Sequence, residues 1–330
     1  MNSNAASENP ERDPRLIEAG RWVARTLGMA TVDLEPVSGD ASFRRYFRLQ
    51  DGFQSLILMD APPESENSKP FVDIARRLRA AGLNAPEIRS FDLELGFGLL
   101  QDFGDTLYRA LIDESTADRL FPDLFNVLDG MARHVDPAGL PRYDEAALAG
   151  ELDLFRTWYL ERHRNRVMNP DEDAAWSGLC RALIDSARSQ PQVFVHKDFH
   201  SCNLLRTEAG PGIIDFQDGL LGPLSYDFVS LVWDRYVAWP RERIERWMAE
   251  AHALLPLDCG LDEWIRRCDW MGLQRNLKIV GIFARLEYRD HKRGYIEMIP
   301  RFYQYLLDVV PRYPEFSRFQ RMLELPECAP

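Results

Sequence analysis

The sequence predicts an α+β fold in two parts, a small strand-rich N-terminal lobe and a larger, mostly helical C-terminal lobe. Three observations predict it. Short β-like runs separated by turn residues crowd the first hundred residues, helical periodicity dominates after residue 104, and a length of 330 residues suits two such bodies. The division falls at residues 1–103 and 104–330. A polar hinge near 101–105, Gln101-Asp102-Phe103-Gly104-Asp105, follows the apolar Gly98-Leu99-Leu100.

Each element follows from local signals. Residues 14 to 27 set Leu16, Ile17, Trp22, Val23 and Leu27 at helical spacing and end at Gly28. The runs LEPVS, FRRYFRL and QSLILM, parted by Gly39-Asp40 and Asp51-Gly52, read as three antiparallel strands. Residues 68 to 82 return to a helix with Phe71, Ile74, Ala75 and Leu78 on one face, stopped at Asn84-Ala85-Pro86. Extended runs follow at 88–93 and 98–101. Beyond the hinge, 116–135, 144–166, 174–188, 241–255, 262–286 and 301–309 are helix candidates, and only 192–214 turns strand-like.

Composition narrows the function. Hydrophobic residues make up 45% and charged residues 28%, the balance of a globular chain with a sizeable core. The net charge of −12 argues against binding nucleic acid or anionic lipid through overall charge. The five cysteines are scattered, with no CxxC pair for zinc or redox cycling. The polar, acidic N-terminus and the lack of a long apolar run predict no signal and no membrane span, hence a cytoplasmic protein with no obligate protein partner evident.

The chemistry concentrates between Val193 and Gly219. His196, Asp198 and Asn203 form an HxDxxxxN pattern, and Asp215 follows twelve residues after Asn203 behind two isoleucines. Pairing of 204–206 with 212–214 across the turn TEAGPG would set Asn203 and Asp215 at neighbouring strand ends. An amide oxygen and a carboxylate, completed by water and phosphate oxygens, is the sparse protein ligation that Mg²⁺ takes. Asp198 on the tight loop would reach the same space as acceptor of a hydroxyl proton. His196 reads as a loop residue that orients backbone rather than as the base.

HKDFHSCN followed by IIDF resembles the catalytic and metal loops of the aminoglycoside phosphotransferase family, and the resemblance extends over roughly the whole chain. It implies a bilobal protein-kinase-like fold using ATP and Mg²⁺, with Asp198 as catalytic aspartate and Asn203 and Asp215 as magnesium ligands. Asp227 in GPLSYD resembles the family's buried aspartate that braces the catalytic loop; a helix cap facing solvent is the alternative. SGDASFRRYF resembles the cover of the nucleotide phosphates, nominating Ser38, Gly39 and Ser42. The connector resembles the adenine-binding hinge, nominating the main-chain groups of Gln101 and Phe103.

Two departures stand out. The phosphate loop has the single glycine Gly39, and the strand SLILMDAP carries Met59-Asp60 where a phosphate-pairing lysine is expected. Arg44 or Arg45 could supply the missing charge, although both also fit a solvated strand face.

GDASFRRYFR, LILMDAPPE, Trp158-Tyr159-Leu160 and LQRNLKIVGIFARL resemble, within the family, the bacterial kinases that phosphorylate the anomeric hydroxyl of the amino sugars N-acetylmuramate and N-acetylglucosamine in peptidoglycan recycling. Charge points the same way. Between Arg275 and Arg293 lie six basic residues against Glu287 and Asp290, which suits an anionic or neutral acceptor better than a cationic drug or choline. Arg275 and Lys278 are therefore substrate candidates, as are Glu151 for a sugar hydroxyl and Phe155, Trp158 and Tyr159 for stacking; the same aromatics also fit core packing. A kinase for an aminoglycoside, choline or homoserine, and a non-catalytic nucleotide-binding module, are the competing readings.

Overall fold

The computed structural model describes residues 13–37, 43–52, 54–234 and 237–323. In chain order the elements are α1 (Pro14–Leu27), β1 (Glu35–Val37), β2 (Arg45–Asp51), β3 (Gln54–Asp60), α2 (Lys69–Ala80), β4 (Ile88–Asp92), β5 (Phe97–Gln101), α3 (Tyr108–Leu111), α4 (Ala117–His134) and α5 (Glu145–Leu154). A π-helix (Phe155–His163) continues α5. There follow α6 (Pro170–Ser189), β6 (Gln192–Val195), β7 (Leu204–Thr207), β8 (Gly210–Ile213), β9 (Leu220–Pro223), α7 (Ser225–Val232), α8 (Arg241–Leu254), α9 (Leu261–Tyr288), α10 (Ile299–Val309) and α11 (Ser317–Leu323).

These elements form two compact units. The first comprises residues 1–107 with Leu205–Asp218. Its sheet runs β1-β2-β3-β5-β4, antiparallel throughout. Alternate residues Phe47 and Leu49, Leu56 and Leu58, and Phe97 and Leu99 bury one face against Ala19, Trp22 and Val23 of α1. Asp13 caps that helix by accepting the N–H groups of Arg15 and Leu16, and Gly28 ends it with φ of 69°. The helix α2 buries Phe71, Ile74 and Leu78, and Phe71 stacks on Phe216, ring centroids 5.0 Å apart. The strand pair β7–β8 belongs to this unit for nearly all its length, whereas the sequence boundary near 101–105 left it with the C-terminal part.

The second unit comprises Tyr108–Leu204 and Gly219–Pro330. The helix α9 is its spine, burying residues on every side from Trp264 to Ala284. The α5–π segment, α7 and α10 pack around it. Strands β6 and β9 pair antiparallel and deliver the loop that follows Val195. Besides the short helices α3 and α11, which the sequence did not nominate, several features differ from the sequence expectation. The segment 144–166 is α-helical only to Leu154 and then widens into the π-helix. Strand β9 and helix α7 come from GLLGPLSYDFVSLV, which is apolar without a clear period because α7 is buried all round. No helix among the described residues is long and apolar enough to cross a membrane.

Candidate active site

The loop after β6 is held from below by α7. Asp227, in the first turn of α7 and 3% exposed, accepts the backbone N–H of His196 at 2.6 Å and that of Lys197 at 3.0 Å. The alternative of a solvent-facing cap is thus excluded. Burial, relieved only in part by His196 and the two N–H groups, pushes the Asp227 carboxyl up to about 6. Lys197 adopts φ of 79°. A side chain in this left-handed region costs about 1–2 kcal/mol that glycine avoids. His196 is fully buried, and its Nδ1 lies 3.3 Å from the Asp198 N–H, the backbone-orienting place expected for it.

Asp198 leaves this turn half-buried. Burial works against its ionisation, but the positive charges of Lys278 and Arg275, with His200 and His196, outweigh it and hold the carboxyl below its usual range. Asn203 is 4% exposed and donates its Nδ2 to the Asp198 carbonyl at 3.0 Å, which fixes which end of the amide carries the oxygen. A second brace escaped the sequence analysis. Asp234, two helical turns beyond Asp227 in sequence, accepts both the N–H and the hydroxyl of Ser201. The i, i+7 spacing of Asp227 and Asp234 was the available signal.

Beside the loop lies a buried polar cluster. Glu151 accepts hydrogen bonds from the Tyr143 hydroxyl and, at 3.3 Å, from Gln274, and sits 3.5 Å from Lys278 and 3.4 Å from Lys197. Burial raises the Glu151 carboxyl, yet Lys278, the Tyr143 hydroxyl and Lys197 bring it below its ordinary value. Lys278 also donates to the Tyr226 hydroxyl at 2.5 Å. Arg275 is 7% exposed, and its Nε has no hydrogen-bond partner among the described residues. Lys197, Tyr226 and Gln274 lie within HKDFHSCN, GPLSYD and LQRNLKIVGIFARL without being singled out there, Tyr143 lies in none of these runs, and only the fold gathers them.

The stacking candidates divide. Phe155 is fully buried and Tyr159 is 6% exposed; they pack on each other with centroids 5.0 Å apart, and Tyr159 continues onto His163 and Tyr303. They are core. Trp158 instead lines an open cavity of about 590 Å³ with Thr157, Glu161, Arg162, Tyr288 and Arg289. Tyr288 lies about 15 Å along α9 from Lys278, so Trp158 stands apart from the Glu151 cluster.

In the first unit, Ser38, Gly39 and Ser42 lie outside the described residues. Arg44 pairs with Glu66 at 3.0 Å. Arg45 pairs with Asp13 and, at 2.6 Å, with the fully buried Asp60, which Arg15 also holds at 2.7 Å. The acid at the end of β3 is therefore the hub of an ion network that docks α1 on the sheet. The main-chain N–H of Gln101 goes to the Glu87 carbonyl at 2.8 Å, and the Phe103 ring packs where a side chain at Gly212 would fall. Asp215, two residues past β8, holds φ of 61° and accepts from Gln217 Nε2 at 2.8 Å.

The profile of the phosphotransferase enzyme family matches residues 33–264. The chain belongs to the phosphotransferase enzyme family. Among curated relatives of this phosphotransferase, the N-acetylmuramate/N-acetylglucosamine kinase of Pseudomonas aeruginosa is 44% identical over 96% of this chain and 94% of its own length. The protein of the same name from Neisseria meningitidis is 36% identical over 94% of this chain and 95% of its own. Among solved structures, a choline/ethanolamine kinase family protein from Mesorhizobium loti superposes with a TM-score of 0.62 at 18% identity, covering 94% of this chain and all of its own. The aminoglycoside phosphotransferase APH(2'')-Ib, bound to ADP, gives 0.59 at 13% identity over 88% of this chain and 96% of its own. The α+β fold expected from the sequence, strand-rich before the helical body, is the fold of these kinases.

Proposed function

We propose that this phosphotransferase moves the terminal phosphoryl group of ATP to the anomeric C1 hydroxyl of N-acetylmuramate and N-acetylglucosamine, giving the sugar 1-phosphates recovered in peptidoglycan recycling. The observation that carries the reading is Asp198 on a loop braced by Asp227, its carboxyl held below the usual range by Lys278 and Arg275 in spite of burial. Cations at that point repel an aminoglycoside or choline and tolerate a neutral or acidic sugar. The names of the curated relatives support the same substrates.

In this reading Asp198 accepts a hydrogen bond from the C1 hydroxyl, turns its lone pair in line with the phosphorus and takes its proton late. An anomeric hydroxyl is more acidic than an ordinary alcohol, so a carboxylate of low basicity suffices. Asn203 and Asp215 each offer an oxygen of the kind Mg²⁺ takes, and the Asn203 amide is already turned by its bond to the Asp198 carbonyl. A bound Mg²⁺ would neutralise and align phosphate oxygens. Arg275 and Lys278 would hold negative charge where the phosphoryl group and sugar meet.

Phosphorus NMR after incubation with Mg·ATP and a panel of N-acetylmuramate, N-acetylglucosamine, kanamycin and choline tests this. The expected product is a phosphate doublet coupled to an anomeric proton. Phosphate on the drug or on choline, or no transfer to either sugar, would overturn the substrate.

A further inference from the structure

We propose that Lys197 is a specificity-determining residue whose ammonium reads a carboxylate on the acceptor; the proposal rests on the amino-sugar kinase reading and assigns one residue's share in it. The backbone is the first observation. Lys197 sits at φ of 79°, where glycine would be at ease, and the carboxylate of Asp227 holds it there through the N–H groups of residues 196 and 197. A side chain kept at such a position, beside the residue nominated to accept the proton, points to work done by that side chain.

Its surroundings say what work. The Lys197 ammonium lies 3.4 Å from Glu151 Oε1 and 5.7 Å from the Tyr143 ring centroid. Glu151 is meanwhile approached on its other oxygen by Lys278 and by the Tyr143 and Gln274 donors. Two ammonium groups thus flank one carboxylate, so Glu151 alone does not fully compensate Lys197 and its charge can serve a ligand. The Lys197 side chain is also the more open of the two, 29% exposed against 13% for Lys278. An ammonium has three donors, so contact with Glu151 does not exhaust it.

The two ammonium groups differ in how fully they are engaged. Lys278 is also engaged by the Tyr226 hydroxyl at 2.5 Å, so its ammonium is held between Glu151 and Tyr226. Lys197 reaches from the Asp198 loop to Glu151 Oε1, the oxygen opposite the one that Lys278 approaches. The carboxylate of N-acetylmuramate hangs from the C3 oxygen, two ring carbons from the C1 that bears the reacting hydroxyl. N-acetylglucosamine lacks this carboxylate and would gain nothing from Lys197.

The test is the ratio of kcat/KM for N-acetylmuramate to that for N-acetylglucosamine in wild type, Lys197→Met, Lys197→Gly, Lys197→Arg and Arg275→Gln. Both neutral variants at Lys197 should lower the ratio about tenfold or more, through KM, and Lys197→Arg should restore most of it. Equal loss on the two sugars, or no turnover of either in both neutral variants, would overturn the proposal by showing that the ammonium serves a step common to both. A drop in the ratio confined to Arg275→Gln would overturn it by assigning the carboxylate to the guanidinium. If wild type phosphorylates neither sugar, the underlying reading falls instead, so the two failures are distinct.

Discussion

Asp227 accepts the backbone N–H of His196 at 2.6 Å in a place that water does not reach, with the histidine fully buried and the aspartate 3% exposed. This bond, with its neighbour from Lys197, turns an unfavourable left-handed backbone into a fixed platform for Asp198. Its strength depends on an acceptor with two oxygens.

Asp227→Asn should therefore cost activity as well as stability. The asparagine presents one oxygen and one NH₂ to two N–H donors, so one donor is left facing another. We expect kcat to fall at least about tenfold. The pH dependence has a definite sign. The folded-state carboxyl titrates at about 6 against an ordinary 3.8, so the folded protein holds a proton that the unfolded chain has released. The stability this gives is full below about pH 4 and is lost as pH rises through about 6. The asparagine has no such dependence, so the Tm gap between wild type and variant should narrow from pH 5 to pH 7.5. Calorimetry across that range checks it, and a widening gap would contradict the shift.

Asp198 and Asp215 should separate when nucleotide binding is measured apart from turnover. Under the proposed mechanism both alanine variants should lose phosphoryl transfer, since one would lose the acceptor of the hydroxyl proton and the other a ligand for Mg²⁺. Asp198→Ala should keep its Mg·ATP affinity within a few-fold, whereas Asp215→Ala should lose the magnesium dependence of that affinity. Titration calorimetry with a non-hydrolysable ATP analogue, with and without Mg²⁺, reads the difference; equal loss in the two variants would contradict the division of roles.

The sequence carried the order of the elements and the HxDxxxxN loop because both are local. Alternating apolar residues in β2, β3 and β5 and turn residues between them needed no tertiary information. The Glu151 cluster was another matter. Tyr143, Glu151, Lys197, Tyr226, Gln274 and Lys278 come from five separate segments, and nothing in any one of them announces the others. The helix α7 hid for a related reason: buried on all sides, it has no polar face to give a period. The aromatic run 155–159 looked like one stacking surface, yet the π-helical widening after Leu154 turns Phe155 and Tyr159 into the core and Trp158 outward.

Asp60 at the end of β3 should prove structural. Its buried carboxylate joins Arg15 of α1 to Arg45 of β2, and removing one partner of a buried ion network leaves charges without compensation. Asp60→Asn should cost about 3–5 kcal/mol of unfolding free energy. Asp60→Lys, which places an ammonium where the family's phosphate-pairing lysine is expected, should not improve ATP binding and should destabilise more, since the new charge meets two guanidinium groups. Denaturant titration of both variants measures it; a lysine variant of wild-type stability and tighter ATP binding would refute the assignment.

Gly281 couples the spine of the second unit to the start of the π-helix. A Cβ placed there would stand 2.4 Å from the Leu154 carbonyl carbon, 2.6 Å from its oxygen and 2.6 Å from the Phe155 nitrogen. These are backbone atoms and cannot rotate aside, so Gly281→Ala must push α9 away from the point where α5 gives way to the π-helix. Overpacking of this kind costs about 1–3 kcal/mol. The consequence should reach chemistry, because Lys278 lies one turn before Gly281 on α9 and Glu151 one turn before Leu154, and their 3.5 Å approach depends on the spacing of those two helices. We therefore expect Gly281→Ala to lower kcat/KM for the acceptor at temperatures well below its Tm. Gly150→Ala, inside α5 with open space where its Cβ would fall, should raise stability by about 0.5–1 kcal/mol and leave turnover unchanged. Loss of stability in Gly281→Ala with full activity would show that the cluster tolerates the displacement.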